Sequence, residues 1–373
     1  MAKEPARKEK EEKKRSSSGS PAALRSKIER LDRELLKLVN LRARFATAWS
    51  KHLAETGQTP AADEAEAWLA KLVAANKGPL HERAIRGIFR ELTSGWHELN
   101  RAHRVAFLGP AYSYSHVATL ERFGTSIEQV PVGSIAAVFE EVNRGHVEFG
   151  VVPVENSTDG RVADTLDMFT RLRVRICGEV QLRIHHNLLG RCTRSEIQEV
   201  YSRPQALSQC RNWLARHLPA VRTIEVTSTS TAAQLAQDKP GAAAIASVQA
   251  GVYYGLDVLA EKIEDNQANV TRFAVIGEDS ASRTGHDRAA VMFEVEHKPG
   301  ALADAMNIFK RNRLNLTWIE SFPIARPEGG YMFFIELDGH ESDSRVRRAM
   351  DSLAKRALRL EVLGSYPRST PVG

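Results

Sequence analysis

A dense set of polar side chains follows the apolar run 150–154, and their types are suited to binding an anion. Asn156 can donate and accept hydrogen bonds, and Ser157 and Thr158 add hydroxyl donors. The apolar run predicts a buried strand that opens into a loop and then a helix over 161–169. Ligands of open α/β sheets sit at such strand ends, where a helix N-terminus offers free N–H groups. The same residues also fit an ordinary helix cap, so this segment alone leaves both interpretations open.

The composition indicates a soluble protein of several domains. The chain has 373 residues, of which 42% are hydrophobic and 26% charged, so we expect two to four domains. Three cysteines without metal spacing, Cys177, Cys192 and Cys210, indicate reduced thiols and a cytoplasmic location. No apolar run is long enough to span a bilayer, and no apolar signal segment is present, so neither a membrane span nor export is expected.

The net charge of +6 does not predict a nucleic-acid partner. Residues 1–20 hold seven Lys or Arg and four Glu, and their composition predicts a disordered basic tail. Nucleic-acid binding would need a basic face on a folded domain, and the remaining sequence shows none.

The segment 21–102 carries three helix-like stretches separated by Gly and Pro. The first runs to about residue 53 and places apolar residues at spacings of four and three, which indicates an apolar seam on a long helix. Further helices are predicted over 62–75 and 81–99. Three helices with one very long member make a poor core for a single chain, so we expect dimerisation through the seam. The seam consists of Leu24, Ile28, Leu31, Leu35 and Leu38.

This segment resembles the all-helical chorismate mutase domain. The resemblance rests on Leu24-Arg25-Ser26-Lys27-Ile28, Leu31-Asp32, Leu35-Leu36 and Arg42. It implies a mutase-like site in which Arg25 and Arg42 bind the two carboxylates of chorismate.

Other positions depart from that family's pattern. Leu53 stands where the family has a lysine for the ether oxygen, and Trp96 and Asn100 stand where it has a serine and a glutamine. The second helix begins with Ala62-Asp63-Glu64-Ala65-Glu66-Ala67 instead of an Arg-Glu pair. Because this rearrangement needs cations on both carboxylates and donors on the ether oxygen, we expect little or no mutase activity. The alternative is a fully bifunctional enzyme in which Lys51 replaces the missing lysine.

The segment 103–282 alternates strand-like and helix-like stretches, which predicts an α/β domain with a largely parallel sheet. We place a second lobe from about residue 178 onward, with 180–189 as its first strand. Two lobes create a cleft, and a cleft is the default place for a small ligand. The other predicted strands are 104–108, 128–132, 199–202, 223–226 and 242–246.

Five motifs make this segment resemble prephenate dehydratase. They are Ala106-Phe107-Leu108-Gly109-Pro110 with Tyr114-Ser115-His116, Val152-Pro153-Val154-Glu155-Asn156-Ser157, Tyr201-Ser202-Arg203-Pro204-Gln205 with Gln209-Cys210, Ser228-Thr229-Ser230-Thr231-Ala232-Ala233, and Tyr254-Gly255-Leu256 with Asn269-Val270-Thr271-Arg272-Phe273. Tyr112 departs from the family, which usually has glycine there. The resemblance implies conversion of prephenate to phenylpyruvate, carbon dioxide and water, with no cofactor and no metal.

The resemblance also implies roles for particular side chains. Thr271 is expected at the leaving hydroxyl, where it donates a hydrogen bond or relays a proton. Glu155 is the only ionisable acid of the set, and burial that raised its pKa would let it act as an acid. The predicted catalytic residues are Thr271, Asn156, Glu155, Ser202 and Gln209, and the predicted substrate-binding residues are Ser157, Ser230, Thr231 and Arg272.

Three cationic or titratable side chains need separate interpretation. Arg272 either binds a substrate carboxylate or pairs with a carboxylate of the protein. His185 and His186 are adjacent, so on a strand they point to opposite faces and at most one reaches the cleft. We expect both histidines to be structural.

A third unit over 287–368 has the predicted order βαββαβ, which is the ferredoxin-like arrangement. It resembles an ACT domain through Lys298-Pro299-Gly300-Ala301-Leu302 and Glu320-Ser321-Phe322-Pro323. Such domains bind phenylalanine, which implies an effector site at Gly300, Ala301, Leu302, Glu320 and Ser321. Because Phe322 replaces the usual arginine of the second motif, a different effector and a pure dimerisation module remain alternatives.

The sequence thus predicts a multidomain α+β protein with a helical N-terminal domain, a two-lobed α/β dehydratase domain and a ferredoxin-like βαββαβ ACT domain. We expect a homodimer or homotetramer that acts on prephenate in phenylalanine biosynthesis, with phenylalanine as effector. The alternative from another class is a non-catalytic sensor of aromatic acids.

Overall fold

The structure, a computed structural model, describes residues 20–56, 62–324 and 330–372. The chain divides into two compact units after residue 60. The predicted disordered tail lies outside the described residues except for Ser20. No helix in the described ranges is long and apolar enough to cross a membrane.

The described part of the first unit consists of one long helix, α1 (Pro21–Thr56). Its predicted apolar seam is exposed, since the five seam residues keep 48–63% of their surface accessible. Contiguous apolar surface of this kind marks an interaction site in many soluble proteins. Dimerisation through the seam stays a prediction.

Two further helices open the second unit, α2 (Ala62–Ala75) and α3 (Glu82–Arg101). Both lie within two residues of their predicted bounds. Helix α3 contacts the α/β domain through two hydrogen bonds. Glu91 Oε2 accepts from Thr125 Oγ1 at 2.7 Å, and Ser94 Oγ accepts from the Ser126 N–H at 3.0 Å.

The first lobe of the α/β domain contains one mixed sheet. Its strands are β1 (Arg104–Leu108), β2 (Glu128–Val132), β3 (Phe149–Asn156), β4 (Gly160–Arg161), β5 (Arg175–Arg183) and, from later in the chain, β11 (Val270–Gly277). They lie in the order β2-β1-β3-β11-β5, with β4 beside β3. Three helices pack against the sheet, α4 (Tyr114–Phe123), α5 (Ile135–Asn143) and α6 (Ala163–Arg171).

The second lobe contains a five-stranded sheet in which consecutive strands are rarely neighbours. Its strands are β6 (Asn187–Gly190), β7 (Glu199–Ser202), β8 (Arg222–Glu225), β9 (Ala242–Ala246) and β10 (Asp257–Ala260). They lie in the order β10-β6-β9-β7-β8. The helices of this lobe are α7 (Pro204–Gln209), α8 (Arg211–His217), α9 (Thr229–Asp238) and α10 (Val248–Tyr254).

Two predictions for this domain are wrong. The stretch 180–189 is not one strand of the second lobe, because β5 belongs to the first sheet and only β6 begins the second. The sheets are also mixed instead of largely parallel, since β11 runs antiparallel to β3 and β5 and β6 runs antiparallel to β9 and β10. A run of apolar residues shows that strands are buried but does not show where the chain changes sheets.

The segment 287–368, which the sequence analysis called the third unit, lies within the second compact unit and has the predicted ferredoxin-like arrangement. We keep the name third unit for this segment. Its elements are β12 (Asp287–Glu294), α11 (Ala301–Arg311), β13 (Leu316–Pro323), β14 (Tyr331–Asp338), α12 (Ser344–Ala354) and β15 (Arg359–Pro367). The sheet order β13-β14-β12-β15 places the first and third strands of the unit at its centre, as in ferredoxin-like folds.

The third unit packs closely on the first lobe. Phe169 of α6 and Phe334 of β14 share one buried apolar cluster, with ring centroids 6.2 Å apart. Strand β15 approaches β5 so closely that a Cβ on Gly364 would lie 2.2 Å from the carbonyl oxygen of Ile176. Only glycine permits this approach.

After β15 the chain returns to the sheet of the first lobe. The Arg183 N–H donates to the Val372 carbonyl at 2.7 Å, and the Val372 N–H donates to the Gln181 carbonyl at 2.9 Å. The third unit is therefore joined to this sheet at both ends, through the segment after β11 and through the residues after β15.

Candidate active site

The register of β3 and β11 places Asn156 directly opposite Thr271. Asn156 Nδ2 lies 2.8 Å from Thr271 Oγ1 and donates a hydrogen bond to it. Residues directly opposite on antiparallel strands lie on the same face of the sheet, which explains this contact. The structure therefore brings together two predicted catalytic residues that are distant in sequence.

The side chain of Asn156 is fully engaged within the protein. Its second amide hydrogen is donated to Asn269 Oδ1 at 2.9 Å, and its Oδ1 accepts from the N–H groups of Thr158 and Asp159. A carboxamide has two donor hydrogens, so both are used. Thr271 Oγ1 accepts one of them, and among the described residues no hydrogen bond donated by the Thr271 O–H is found.

Gln209 reaches the same group of side chains from the second lobe, at the end of α7. Its Oε1 accepts from Asn269 Nδ2 at 3.0 Å, and its Nε2 donates to Asp159 Oδ2 at 3.2 Å. Both partners belong to the first lobe, so Gln209 links the two lobes. We call Thr271, Asn156, Asn269, Gln209 and Asp159 the amide cluster.

The amide cluster offers neutral hydrogen-bond donors around one carboxylate. Its hydroxyl and carboxamide groups can donate to oxygen atoms of a ligand, whereas Asp159 can only accept when ionised. In the described ranges, no group of three or more His, Cys, Asp or Glu side chains is placed to hold a metal ion.

The sequence analysis missed Asn269 as a site residue. Asn269 is 1% exposed and joins Asn156 to Gln209. A signal for it existed, since it precedes Thr271 by two positions on the approach to β11 and side chains two apart share a face.

The sequence analysis also missed the contact made by His186. This residue is 3% exposed, and its Nε2 lies 2.9 Å from Gln209 Oε1. His185 turns instead to Glu264, with Nδ1 2.7 Å from Oε1. Both histidines lie between β5 and β6, so the alternation predicted for a strand does not apply to them. Sequence could not select His186, because its contact depends on how the two lobes meet.

Glu155 lies on the opposite face of the sheet from Thr271. The register pairs it with Arg272, one position along from the Asn156–Thr271 pair, and successive side chains on a strand alternate faces. Glu155 Oε2 accepts from Arg272 Nη1 at 2.9 Å. The structure thus corrects the predicted catalytic role of Glu155, because its carboxyl group does not reach the amide cluster.

Arg272 is held by carboxylates of the protein, not left free for a substrate. Its Nη2 lies 2.8 Å from Glu336 Oε2 of β14 and 3.2 Å from Glu179 Oε2 of β5, and Arg288 Nη1 of β12 lies 2.9 Å from the same Glu179 oxygen. Burial lowers the pKa of Arg272, but the surrounding anions outweigh it and hold the pKa above its ordinary value. We call Arg272, Glu155, Glu179, Glu336 and Arg288 the ion cluster.

Two of the predicted serines are bonded to backbone groups. Ser202 is fully buried, and its Oγ donates to the Ile245 carbonyl at 2.7 Å. Ser157 Oγ accepts from the Val270 N–H at 2.9 Å and so joins the end of β3 to the start of β11. Neither hydroxyl contacts the amide cluster in this structure, and their predicted ligand contacts stay predictions.

The residues at the start of α9 connect the lobes. Ser230 Oγ donates to the carbonyl of Ala111 in the first lobe at 2.7 Å. Thr231 Oγ1 lies 2.7 Å from Ser228 Oγ, which caps the helix by accepting from the Thr231 N–H. Binding of a ligand carboxylate by Ser230 and Thr231 stays a prediction.

Tyr112 lies where the rims of the two lobes meet. Its φ of +63° is unusual for a residue other than glycine and costs about 1–3 kcal/mol. Its N–H donates to His116 Nδ1 at 2.9 Å, and its ring stacks on Tyr253 of the second lobe with centroids 3.8 Å apart. Tyr112 therefore adds an aromatic contact between the lobes.

The predicted effector residues lie around α11 and on β13. Gly300 has a φ of +84° and precedes α11, whose first residues are Ala301 and Leu302. Arg161 of β4 donates from Nη1 to Glu320 Oε2 at 2.8 Å and to the Ser321 carbonyl at 3.0 Å.

The predicted mutase-like residues Arg25 and Arg42 both lie on α1, in the first unit. Arg25 Nε is 3.1 Å from Glu29 Oε1, one helical turn away, and both side chains are exposed.

Two family models match the chain. One described as prephenate dehydratase matches residues 105–281, and one described as chorismate mutase type II matches residues 24–100. The bifunctional chorismate mutase/prephenate dehydratase of Stutzerimonas stutzeri is 42% identical over 357 residues, which cover 93% of this chain and 97% of that protein.

Solved structures share the fold of a large part of the chain. A prephenate dehydratase from Arthrobacter aurescens, in complex with L-Phe, is 33% identical with a TM-score of 0.67, covering 71% of this chain and 90% of that chain. A structure described as a quorum-quenching acylase is 27% identical with a TM-score of 0.65, covering 71% and 98%. Proteins with this fold are thus described as having different activities, so the reaction must be inferred from the residues of the site and not from the fold alone.

We predict losses of very different size for two isosteric changes at adjacent residues. Glu155→Gln should lower the kcat for prephenate by less than about tenfold, because Glu155 faces the ion cluster. Asn156→Asp should lower it by about 100-fold or more, because a carboxylate cannot donate to Thr271 and Asn269. Steady-state production of phenylpyruvate measures both. A larger loss for Glu155→Gln than for Asn156→Asp would contradict the assignment of faces.

Proposed function

The chain belongs to the family of bifunctional chorismate mutase/prephenate dehydratases and is a prephenate dehydratase, and we propose that its amide cluster carries out the reaction. The observation that carries this proposal is the bond from Asn156 Nδ2 to Thr271 Oγ1. In that bond the Thr271 oxygen is the acceptor, which leaves its O–H available to donate to the leaving hydroxyl of the substrate.

The reaction needs one proton at the leaving oxygen and no electrons from outside. The bond between the ring and its carboxylate breaks, and its electron pair moves into the ring as carbon dioxide leaves. The ring C–O bond breaks at the opposite end, and the hydroxyl leaves as water after taking up a proton. Donation by Thr271 stabilises charge that develops on this oxygen, and general acid assistance of this kind contributes about 10²–10⁴-fold.

The amide cluster also suits an anionic substrate. Gln209 uses one amide hydrogen on Asp159 and has a second for a ligand oxygen. Donors from both lobes converge on the cleft, so lobe closure would position the substrate as it binds.

We predict that Thr271→Ala lowers the kcat for prephenate by about 100-fold or more, because the donor at the leaving oxygen is lost. Thr271→Ser keeps a hydroxyl and should retain most of the activity. Turnover of prephenate and binding of a non-reactive dicarboxylate analogue are the two measurements, and binding should be largely unchanged.

The same experiment separates an enzyme from a sensor of aromatic acids. A sensor would bind the analogue but show no turnover in the unmodified chain. Equal turnover by the unmodified protein and Thr271→Ala would contradict the role of Thr271 and leave the dehydratase assignment intact.

The helical segment is proposed to have little or no mutase activity. This proposal rests on Leu53, which lacks the cation expected for chorismate, on the acidic start of the second helix at 62–67, and on Trp96 and Asn100 in place of a serine and a glutamine. The relative from Stutzerimonas stutzeri is named as bifunctional, which favours the alternative of a working mutase.

We predict that purified protein forms phenylpyruvate from prephenate but not from chorismate. Product from both substrates would show that the helical segment works despite Leu53, and would contradict a degenerate mutase. Leu53→Lys provides a matched variant, since it restores the expected cation and should raise chorismate turnover if the departure is responsible for its absence.

The third unit is proposed to be an ACT domain that binds L-phenylalanine near Gly300–Leu302 and Glu320–Ser321. Support comes from its ferredoxin-like fold and from the related dehydratase that was solved with L-Phe. The contact of Arg161 with Glu320 and Ser321 gives such a site a direct connection to β4, the strand next to Asn156.

We predict that L-phenylalanine raises the melting temperature, because a ligand that binds only the folded protein stabilises it by about 2.7 kcal/mol at 100 times its Kd. As an inhibitory effector, it should also lower prephenate turnover. Differential scanning fluorimetry and turnover assays measure the two effects, with L-alanine as the control amino acid. A melting temperature that does not respond to L-phenylalanine would contradict this effector.

A further inference from the structure

His186 lies between β5 and β6, at the crossing from the first lobe to the second. Its ring is almost completely buried, and its backbone N–H donates to Glu264 Oε2 at 2.9 Å. Its Nε2 lies 2.9 Å from Gln209 Oε1. The mechanism described above does not use this ring, although it touches a member of the amide cluster.

The partners of Gln209 determine the orientation of its carboxamide. Oε1 faces the amide hydrogens of Asn269, and Nε2 faces the carboxylate of Asp159. If the carboxamide were reversed, its oxygen would face the carboxylate and its NH2 group would face another NH2 group. Both contacts would be repulsive, so the observed orientation is the stable one.

This orientation determines the hydrogen position on His186. Since Gln209 Oε1 is an acceptor, His186 Nε2 must carry the hydrogen. The other nitrogen, Nδ1, lies 3.2 Å from the hydroxyl oxygen of Tyr114, which is 2.8 Å from the His185 carbonyl. The single hydrogen of Tyr114 is donated to the His185 carbonyl, so the position of the ring hydrogen is inferred from the contact with Gln209 and not from Tyr114.

Burial favours the neutral form of the His186 ring. Burial lowers its pKa and is the largest effect, and His185 acts in the same direction. The hydrogen bond to Gln209 and the carboxylates of Glu264 and Asp159 raise it, but the pKa remains below its ordinary value. A neutral ring with one N–H group is thus the form that meets Gln209.

We propose that His186 is a positioning residue for the dehydratase reaction: its Nε2–H holds Gln209 with the oxygen turned inward, so that an amide N–H of Gln209 faces the cleft and binds an anionic oxygen of the substrate. This inference rests on the proposed function of the amide cluster. It assigns His186 no contact with the substrate and no proton transfer.

Two substitutions distinguish this role from simple packing. His186→Gln can place an amide nitrogen where the ring has Nε2, whereas His186→Asn is shorter and places its polar atoms only near the Nδ1 position. We expect His186→Asn to lower kcat/KM for prephenate by about tenfold or more, as expected for loss of a buried hydrogen bond. We expect His186→Gln to recover most of that loss.

A double-mutant cycle with Gln209→Ala provides a readout that packing alone would not change. If His186 acts through Gln209, His186→Asn should lower kcat/KM much less in the Gln209→Ala background than in the unmodified protein. His185→Gln is the matched control, because His185 contacts Glu264 and not Gln209, and it should change kcat/KM by less than about threefold.

The outcomes separate this inference from the proposed function. Failure of the unmodified chain to convert prephenate would overturn the function itself. With a working enzyme, equal losses for His186→Asn and His186→Gln, or the same loss in the Gln209→Ala background, would overturn the positioning role alone. If His186→Asn does not fold, His186→Gln with an unchanged kcat/KM supports the role, and His186→Gln with a tenfold loss contradicts it.

Discussion

The antiparallel register of β3 and β11 is the constraint on which the site depends. It sets Asn156 opposite Thr271 on one face and Glu155 opposite Arg272 on the other. A shift by one residue would exchange these faces and place an ion pair in the cleft and the reacting hydroxyl against the third unit. Strand pairing across more than a hundred residues thus decides which side chains can meet a substrate.

The two faces of this sheet have different roles: one carries the amide cluster and the other carries the ion cluster. On the face that carries Thr271, the carboxamides of Asn156 and Gln209 donate to neighbouring side chains. These bonds leave the Thr271 O–H and one amide hydrogen of Gln209 for a ligand. On the other side, Arg272 connects β11 to Glu336 of β14, so the strand that carries Thr271 also holds the third unit. Removing one partner of a buried ion pair leaves an uncompensated charge and typically costs about 3–5 kcal/mol.

Much of the fold could be predicted from the sequence, because strand and helix bounds depend on local apolar patterns. The order of the third unit and the strands over 104–108, 128–132 and 242–246 agree with their predictions. The division near residue 184 could not be predicted, since it depends on which sheet receives β5.

For the site, local sequence identified the residues but not their directions. Neighbours on a strand point to opposite faces, and this rule applies to Glu155 and Asn156 on β3. It would have removed Glu155 from the predicted acids once Asn156 was assigned to the cleft. The bond of Gln209 to Asn269 and the use of both Asn156 hydrogens needed coordinates, because they depend on distances between lobes and strands.

The return of the chain to β5 through Val372 bears on how the molecule unfolds. The third unit leaves the first lobe after β11 and comes back beside Gln181 and Arg183, so it is inserted between two attachments to one sheet. Such an insertion cannot separate from its host without also breaking hydrogen bonds at the sheet edge. The dehydratase domain and the third unit are therefore expected to lose their structure in a single cooperative step, and not as independently melting modules.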